Sequence, residues 1–175
     1  NLPFKYICFL RILGFCLYMF LQTLSVHGFR NLQPQTCTFE QPTYFIFGEN
    51  AQGKTNLLES IHFICLTKSF RTSDDGECLA TGQDQFTLQA VFADENRVTQ
   101  QVSMQYSRAQ GKKIYLNGKL VHQYSALIGC FPIIKLSRED QDITAGPPHQ
   151  RRRFCNILLS QISLKYLSEL REYER

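Results

Sequence analysis

The 175 residues predict an α/β domain, and three observations lead there. Short runs alternate apolar and polar residues over strand lengths; one stretch carries apolar residues at helical spacing directly behind a glycine-bearing loop; and the chain from residue 149 onward has neither glycine nor proline. A hydrophobic share of 43% with 19% charged residues excludes a disordered chain and supplies the core of one domain. The net charge of +4 is compatible with a polyanionic partner but far from a histone-like composition.

Residues 1–18 are strongly apolar but interrupted by Lys5 and Arg11. The uncharged run that follows, residues 12–21, is about half the ~20 residues a spanning helix needs, and no small-x-small cleavage site follows it. A targeting segment is one reading. The simpler one takes Met19 as the start, with residues 1–18 as upstream or non-native sequence. Residues 21–29, 36–39 and 44–47 then read as three strands, separated by turn residues at 31–34 and 40–42.

From Lys54 the period changes. Leu57, Leu58, Ile61, Ile64 and Cys65 recur as on one buried helix face over residues 54–66. After a polar loop at 67–76, Phe86, Leu88, Ala90 and Phe92, then Val98, Val102, Met104 and Tyr106, mark two half-buried antiparallel strands. Asn117-Gly118 between apolar residues predicts a tight hairpin. Residues 131–136 read as a central strand, and residues 137–140 (SRED) as a helix start with Ser137 as N-cap and carboxylates in the first turn. Beyond Gly146-Pro147-Pro148, Phe154, Ile157, Leu158, Ile162, Leu164, Leu167 and Leu170 predict two helices broken near Ser163. The expected organisation is an extension at 1–18, a main lobe at 19–145 and the start of a helical arm at 146–175.

Seven cysteines, Cys8, Cys16, Cys37, Cys65, Cys78, Cys130 and Cys155, form no CxxC pair, and an odd count cannot all pair within one chain. Reduced thiols in a cytosolic protein are the expectation. His27, His62, His122 and His149 have no metal-ligand spacing with them, so no zinc site is expected.

The residues that carry chemistry are Gly48, Glu49, Asn50, Ala51, Gln52, Gly53, Lys54 and Thr55, which match GxxxxGK[ST] between an apolar run and an amphipathic helix. Two glycines allow backbone dihedrals at which successive N–H groups turn inward toward phosphate oxygens. The helix N-terminus adds unsatisfied donors, Lys54 reaches the terminal phosphates, and the Thr55 hydroxyl is the expected Mg²⁺ ligand. This is a P-loop NTPase signature, and ATP with Mg²⁺ is the expected cofactor pair.

Four segments in order, FLQTLSVHGFRN, YFIFGENAQGKTNLLESIHFICLTKSFRTS, FPIIKLSREDQDI and GPPHQRRRFCNILLSQISLKYL, resemble the amino-terminal half of the RecF family of bacterial DNA replication and repair ATPases, relatives of SMC and ABC-type ATPases. The resemblance covers nearly everything from Met19 onward. It implies the first lobe of an ABC-type, SMC-like ATPase head, followed by the rising helix of a helical subdomain. It also implies ATP sandwiched in a homodimer, a DNA partner at single strands or single/double-strand junctions, the RecO and RecR mediator proteins, a role in recombinational repair and the SOS response, a cytoplasmic location and no membrane.

Arg30 and Asn31 in GFRN, and Arg71 in KSFR, fall where SMC-like heads place arginines near nucleotide or DNA; a solvated loop arginine is the plain alternative. Residues 137–140 fall where related heads place a glutamine-containing loop that senses Mg²⁺ and the γ-phosphate, but they read SRED, so the N-cap reading stands beside it. Arg151, Arg152 and Arg153 are the sharpest basic cluster, open to DNA contact or to a solvated face. Lys112 and Lys113, entering the Asn117-Gly118 hairpin, offer phosphate contact or edge protection.

A hydrolysing head of this kind also needs a Walker B aspartate followed by glutamate and a signature serine-glycine motif. Neither pattern occurs before Arg175. The family keeps them in its carboxy-terminal portion, so the expectation is a fragment that binds ATP phosphates without the parts for hydrolysis, from a longer protein with weak DNA-dependent ATPase activity. A half-head is also expected to expose the surface a second lobe covers. The competing readings are a P-loop kinase acting on a small molecule and a truncated chain whose loop is a relic.

Overall fold

A computed structural model describes residues 19–137, 143 and 146–173. The readings of residues 1–18 and of the helix start in SRED beyond Ser137 lie outside those residues. Contacts divide the chain into two compact units, one ending at Leu127 and the other beginning at Ile128.

The first unit is built on six strands: β1 (Phe20–His27), β2 (Gln35–Thr38), β3 (Gln85–Ala93), β4 (Thr99–Ser107), β5 (Gly111–Leu116) and β6 (Lys119–Leu120). They form one sheet in the order β2-β1-β3-β4-β5-β6, antiparallel at every pairing. The alternation in the sequence sets the register, because a one-residue slip would turn every apolar side chain to water. Val26 pairs with Leu88 and Leu88 with Met104, which pairs with Ile114; Leu24 pairs with Ala90 and Ala90 with Val102. All of these side chains are buried.

β1 carries an irregularity between Leu21 and Thr23. Leu21 and Leu24 are three residues apart, which strict alternation would send to opposite faces. The extra residue lets Leu21 pair with buried Phe92 and Leu24 with buried Ala90.

Helix α1 (Lys54–Leu66) packs on β3 and β4. Its carboxy-terminal half is enclosed more widely than a single apolar stripe would require: Glu59, Ser60, Ile61, Phe63, Ile64 and Cys65 are all buried. Phe29, Phe63 and Phe86 meet edge to face with centroids 5.2–6.0 Å apart, and Phe86 stacks on Tyr106 at 5.4 Å. Such pairs contribute about 0.5–1.5 kcal/mol each beyond the area they bury.

Two expected strands are not among the described ones. Residues 44–47 run on without pairing to any described strand, and residues 131–136 lie in no described strand. For residues 44–47 the reason is that an apolar run becomes a strand only beside a neighbour, whereas Lys135, within residues 131–136, lies in a β-bridge. The hairpin strand expected after Asn117-Gly118 is β6, of two residues.

The second unit holds α2 (Pro148–Ile162) and α3 (Leu164–Tyr173). Pro148 opens α2, where its missing N–H costs nothing. The break falls at Ser163, whose backbone is extended and whose hydroxyl accepts the Tyr166 N–H at 3.2 Å, capping α3. The buried Gln161 amide bonds the backbone of Ile133 on both sides, as a neighbouring strand would. It accepts the Ile133 N–H at 2.8 Å and donates to the Ile133 carbonyl at 3.1 Å.

Candidate functional site

The loop of residues 48–53 leaves the unpaired run and enters α1 through Gly53, in the left-handed region at φ 90°. A Cβ there would lie 2.8 Å from Leu32 Cδ2 and 3.0 Å from Asn31 Oδ1, so both dihedral and space demand glycine. Gly48, at φ 143°, has open space around it, and the backbone conformation alone selects it. No side chain caps the amino end of α1, and no carboxylate lies in its first turn. Its first N–H groups and the positive end of its dipole therefore face the loop uncontested, which is what an anion requires.

Lys54 folds back over the loop and donates to the Gly48 carbonyl at 2.7 Å and to the Glu49 carbonyl. Its ammonium thus sits at the loop mouth on weak neutral acceptors, which phosphate oxygens would replace with charge-assisted bonds. Thr55 occupies the first turn of α1, at the edge of the same mouth. The donor set of loop, helix end, ammonium and hydroxyl fits a magnesium triphosphate.

Behind the loop runs a polar network. The Asn31 amide donates to the Ala51 carbonyl at 2.6 Å, and its oxygen accepts from Asn56 Nδ2 at 2.7 Å. Asn56 Oδ1 in turn accepts from Arg71 at 2.8 Å. One turn further along α1, the fully buried Glu59 receives two bonds from Arg30, at 2.7 and 3.2 Å, one from Ser69 Oγ at 2.5 Å, and a longer one from Arg71 at 3.5 Å. Arg30 also donates to the Glu77 carbonyl at 2.7 Å. Burial alone would lower the Arg30 pKa, but the bond to Glu59 and the charges of Cys78, Glu59 and Glu77 raise it above its ordinary value. Burial pushes the Cys65 and Cys78 thiols up to about 12, so both are neutral and unreactive near neutral pH.

The residues singled out in the sequence therefore divide. Gly48 to Thr55 converge on one mouth. Arg30 is turned inward onto Glu59 and is only partly exposed. Lys112 behaves alike: its ammonium bonds Asp75 at 2.7 Å and the Thr67 carbonyl at 2.8 Å, and lies 5.2 Å from the Phe63 ring centroid. It pins β5 to the end of α1, a role that edge position alone did not suggest. Arg71 is half exposed, its guanidinium on Asn56 at 2.8 Å and on Glu59 at 3.5 Å. Lys113 is exposed on β5 beside Gln110, and Arg151, Arg152 and Arg153 are exposed on the opening turns of α2.

Asn56 and Glu59 escaped the sequence reading. The signal was present. A lone carboxylate inside LLESIHFIC on a helix that must be buried calls for a buried cation, and Asn56 lies three residues ahead of it on the same side.

Residues 44–47 complete the surroundings. Tyr44 staples its own turn, its hydroxyl accepting the N–H groups of Glu40 and Gln41 and its ring meeting Phe39 edge to face. Phe45 and Phe47 are 73% and 87% exposed. Among the described residues no helix is long and apolar enough to cross a membrane.

Comparison with known proteins follows the same lines. A family described as AAA domain matches residues 23–169. The DNA replication and repair protein RecF of Chloroherpeton thalassium is 39% identical over 157 residues, covering 90% of this chain and 43% of that protein, and RecF of Chlamydia muridarum is 39% identical with 42% of its length covered. The chain thus spans less than half the length of these relatives. Among solved structures, the recombination mediator protein RecF in the RecFOR pathway, bound to ATPrS, superposes with a TM-score of 0.82 at 30% identity, over 89% of this chain and 42% of that one. A structure described in terms of ATP-driven dimerization and DNA stimulated activation of SMC ATPases shares the fold at a TM-score of 0.62 and 17% identity, over 79% of this chain and 98% of that one.

Proposed function

The chain belongs to the AAA domain family and matches the amino-terminal portion of RecF proteins, and from that premise we propose that it is the nucleotide-binding lobe of a RecF-type DNA replication and repair protein. The observation that carries the reading is the uncapped amino end of α1 behind a glycine-framed loop, with the Lys54 ammonium resting on the Gly48 carbonyl. With the nucleotide bound, Lys54 would exchange that carbonyl for the terminal phosphates, the loop and helix N–H groups would hold the phosphate oxygens, and the Thr55 hydroxyl would hold Mg²⁺. The bound magnesium triphosphate supplies the energy and the negative charge that a second head would close upon.

DNA contact falls to the cations left exposed: Arg71, Lys113, Arg151, Arg152 and Arg153. Arg30 and Lys112, already paired, hold the lobe together instead. ATP-dependent homodimerisation, weak DNA-dependent hydrolysis, partnership with RecO and RecR, support of recombinational repair and the SOS response, and a cytoplasmic setting belong to the longer protein and are part of the same proposal.

The test is a titration of a fluorescent ATP analogue with Mg²⁺, comparing the wild type with Lys54→Ala. Loss of the ammonium removes a charge-assisted contact, and affinity should fall about tenfold or more. Equal affinity in the two proteins would remove the proposal's foundation. DNA retention measured across a salt series in the same samples addresses the second half. Retention should decline steeply with salt through counterion release, and none at low salt with Mg-ATP present would exclude DNA contact by this lobe.

A further inference from the structure

Asn31 contributes no group to the mouth of the loop, yet it holds the loop's shape. It sits in the turn after β1, beside Arg30, whose left-handed backbone (φ 53°) and two bonds to Glu59 anchor that turn on α1. From there the Asn31 amide donates to the Ala51 carbonyl at 2.6 Å, while its oxygen accepts from Asn56 in the first turn of α1 at 2.7 Å. One side chain therefore grips the apex of the loop and the start of the helix together.

The apex needs a grip. Ala51 lies in the left-handed region at φ 64° without being glycine, a conformation that persists only where its surroundings hold it. In a planar trans peptide the carbonyl and the following N–H point in opposite directions. Tying the Ala51 carbonyl to Asn31 thus turns the Gln52 N–H away from Asn31. Gly53 leaves room for Asn31 beside the same loop, since a Cβ there would stand 3.0 Å from Asn31 Oδ1.

We propose that Asn31 is a positioning residue for nucleotide binding: it presets the backbone of residues 51–53 so that the ligand need not order it. The proposal rests on the reading that this loop binds Mg-ATP. A ligand that meets a loop populated only partly in its competent form binds more weakly by that fraction. Because both polar atoms of the Asn31 side chain are committed to Ala51 and Asn56, its loss should act on association and leave dissociation alone.

The experiment is stopped-flow binding of a fluorescent ATP analogue with Mg²⁺ to the full chain, for the wild type, Asn31→Ala, the isosteric Asn31→Leu, and Lys54→Ala. Both Asn31 variants should bind about tenfold more weakly through a slower association rate, with the dissociation rate within about twofold. Their thermal midpoints should stay near the wild-type value, because the side chain is exposed. Wild-type association in both Asn31 variants, with Lys54→Ala impaired, would overturn the inference and leave the nucleotide reading intact. Lowered thermal midpoints with unchanged association would mark Asn31 as merely structural and overturn it too. Lys54→Ala binding as well as the wild type would overturn the nucleotide reading on which the inference rests.

Discussion

The two flanks of the phosphate loop live in opposite surroundings. After Gly53, helix α1 is locked from several directions: Arg30 and Ser69 bond Glu59, Lys112 bonds the Thr67 carbonyl at its far end, and Phe63 sits between Phe29 and Phe86. Before Gly48, residues 44–47 pair with no described strand, and Phe45 and Phe47 face water. The helix side is fixed by contacts within this chain; the strand side carries apolar surface that nothing described here covers. A phosphate cradle can therefore be held from one flank alone, because the donors an anion needs come from the helix end and the loop, while the strand contributes only direction.

The sharpest way to break that contrast is Glu59→Ala. It removes the fully buried carboxylate that Arg30 and Ser69 bond and leaves the partly exposed Arg30 guanidinium with only the Glu77 carbonyl, and losing such charge-assisted bonds costs about 1.5–3 kcal/mol. Urea unfolding should show a midpoint far below the wild type, and a cost under about 1 kcal/mol would mean that the network does not hold α1.

A pH series gives the next largest effect. The Cys65 thiol has a folded pKa raised from 9.0 to about 12, so between those values the unfolded chain has released a proton that the folded chain keeps. Stability should then fall as pH rises above 9, by roughly 1 kcal/mol per pH unit from this thiol, and Cys65→Ala should flatten the decline. An unchanged slope in that variant would show that the α1 side is not enclosed as described.

The smallest effect belongs to the strand flank. Phe47→Ser removes an exposed side chain and should leave the unfolding midpoint within about 0.5 kcal/mol of the wild type, while lowering light scattering from self-association. A loss comparable to Glu59→Ala would show that residues 44–47 are packed after all.

Much of this was readable from residues 48–55 and from the alternation in β3, β4 and β5, since both patterns act through nearest neighbours. Asn117, at φ 50°, and Gly118, at φ 77°, turn the chain where the dipeptide indicated. The misses share one cause. Residues 44–47 have strand composition, but a strand is a relation between two segments, and composition describes only one. Arg30 and Lys112 read as surface cations because their partners, Glu59 and Asp75, lie 29 and 37 positions away in the chain.

From the sequence alone came the phosphate loop, the antiparallel ladder and the helix behind the loop, because local dihedral preference and apolar period specify them within a few residues. Tertiary structure decided which charges are free. Whether a guanidinium meets a phosphate or a buried carboxylate depends on which distant segments the packed sheet brings within 3 Å of it, and no short window of sequence contains that distance.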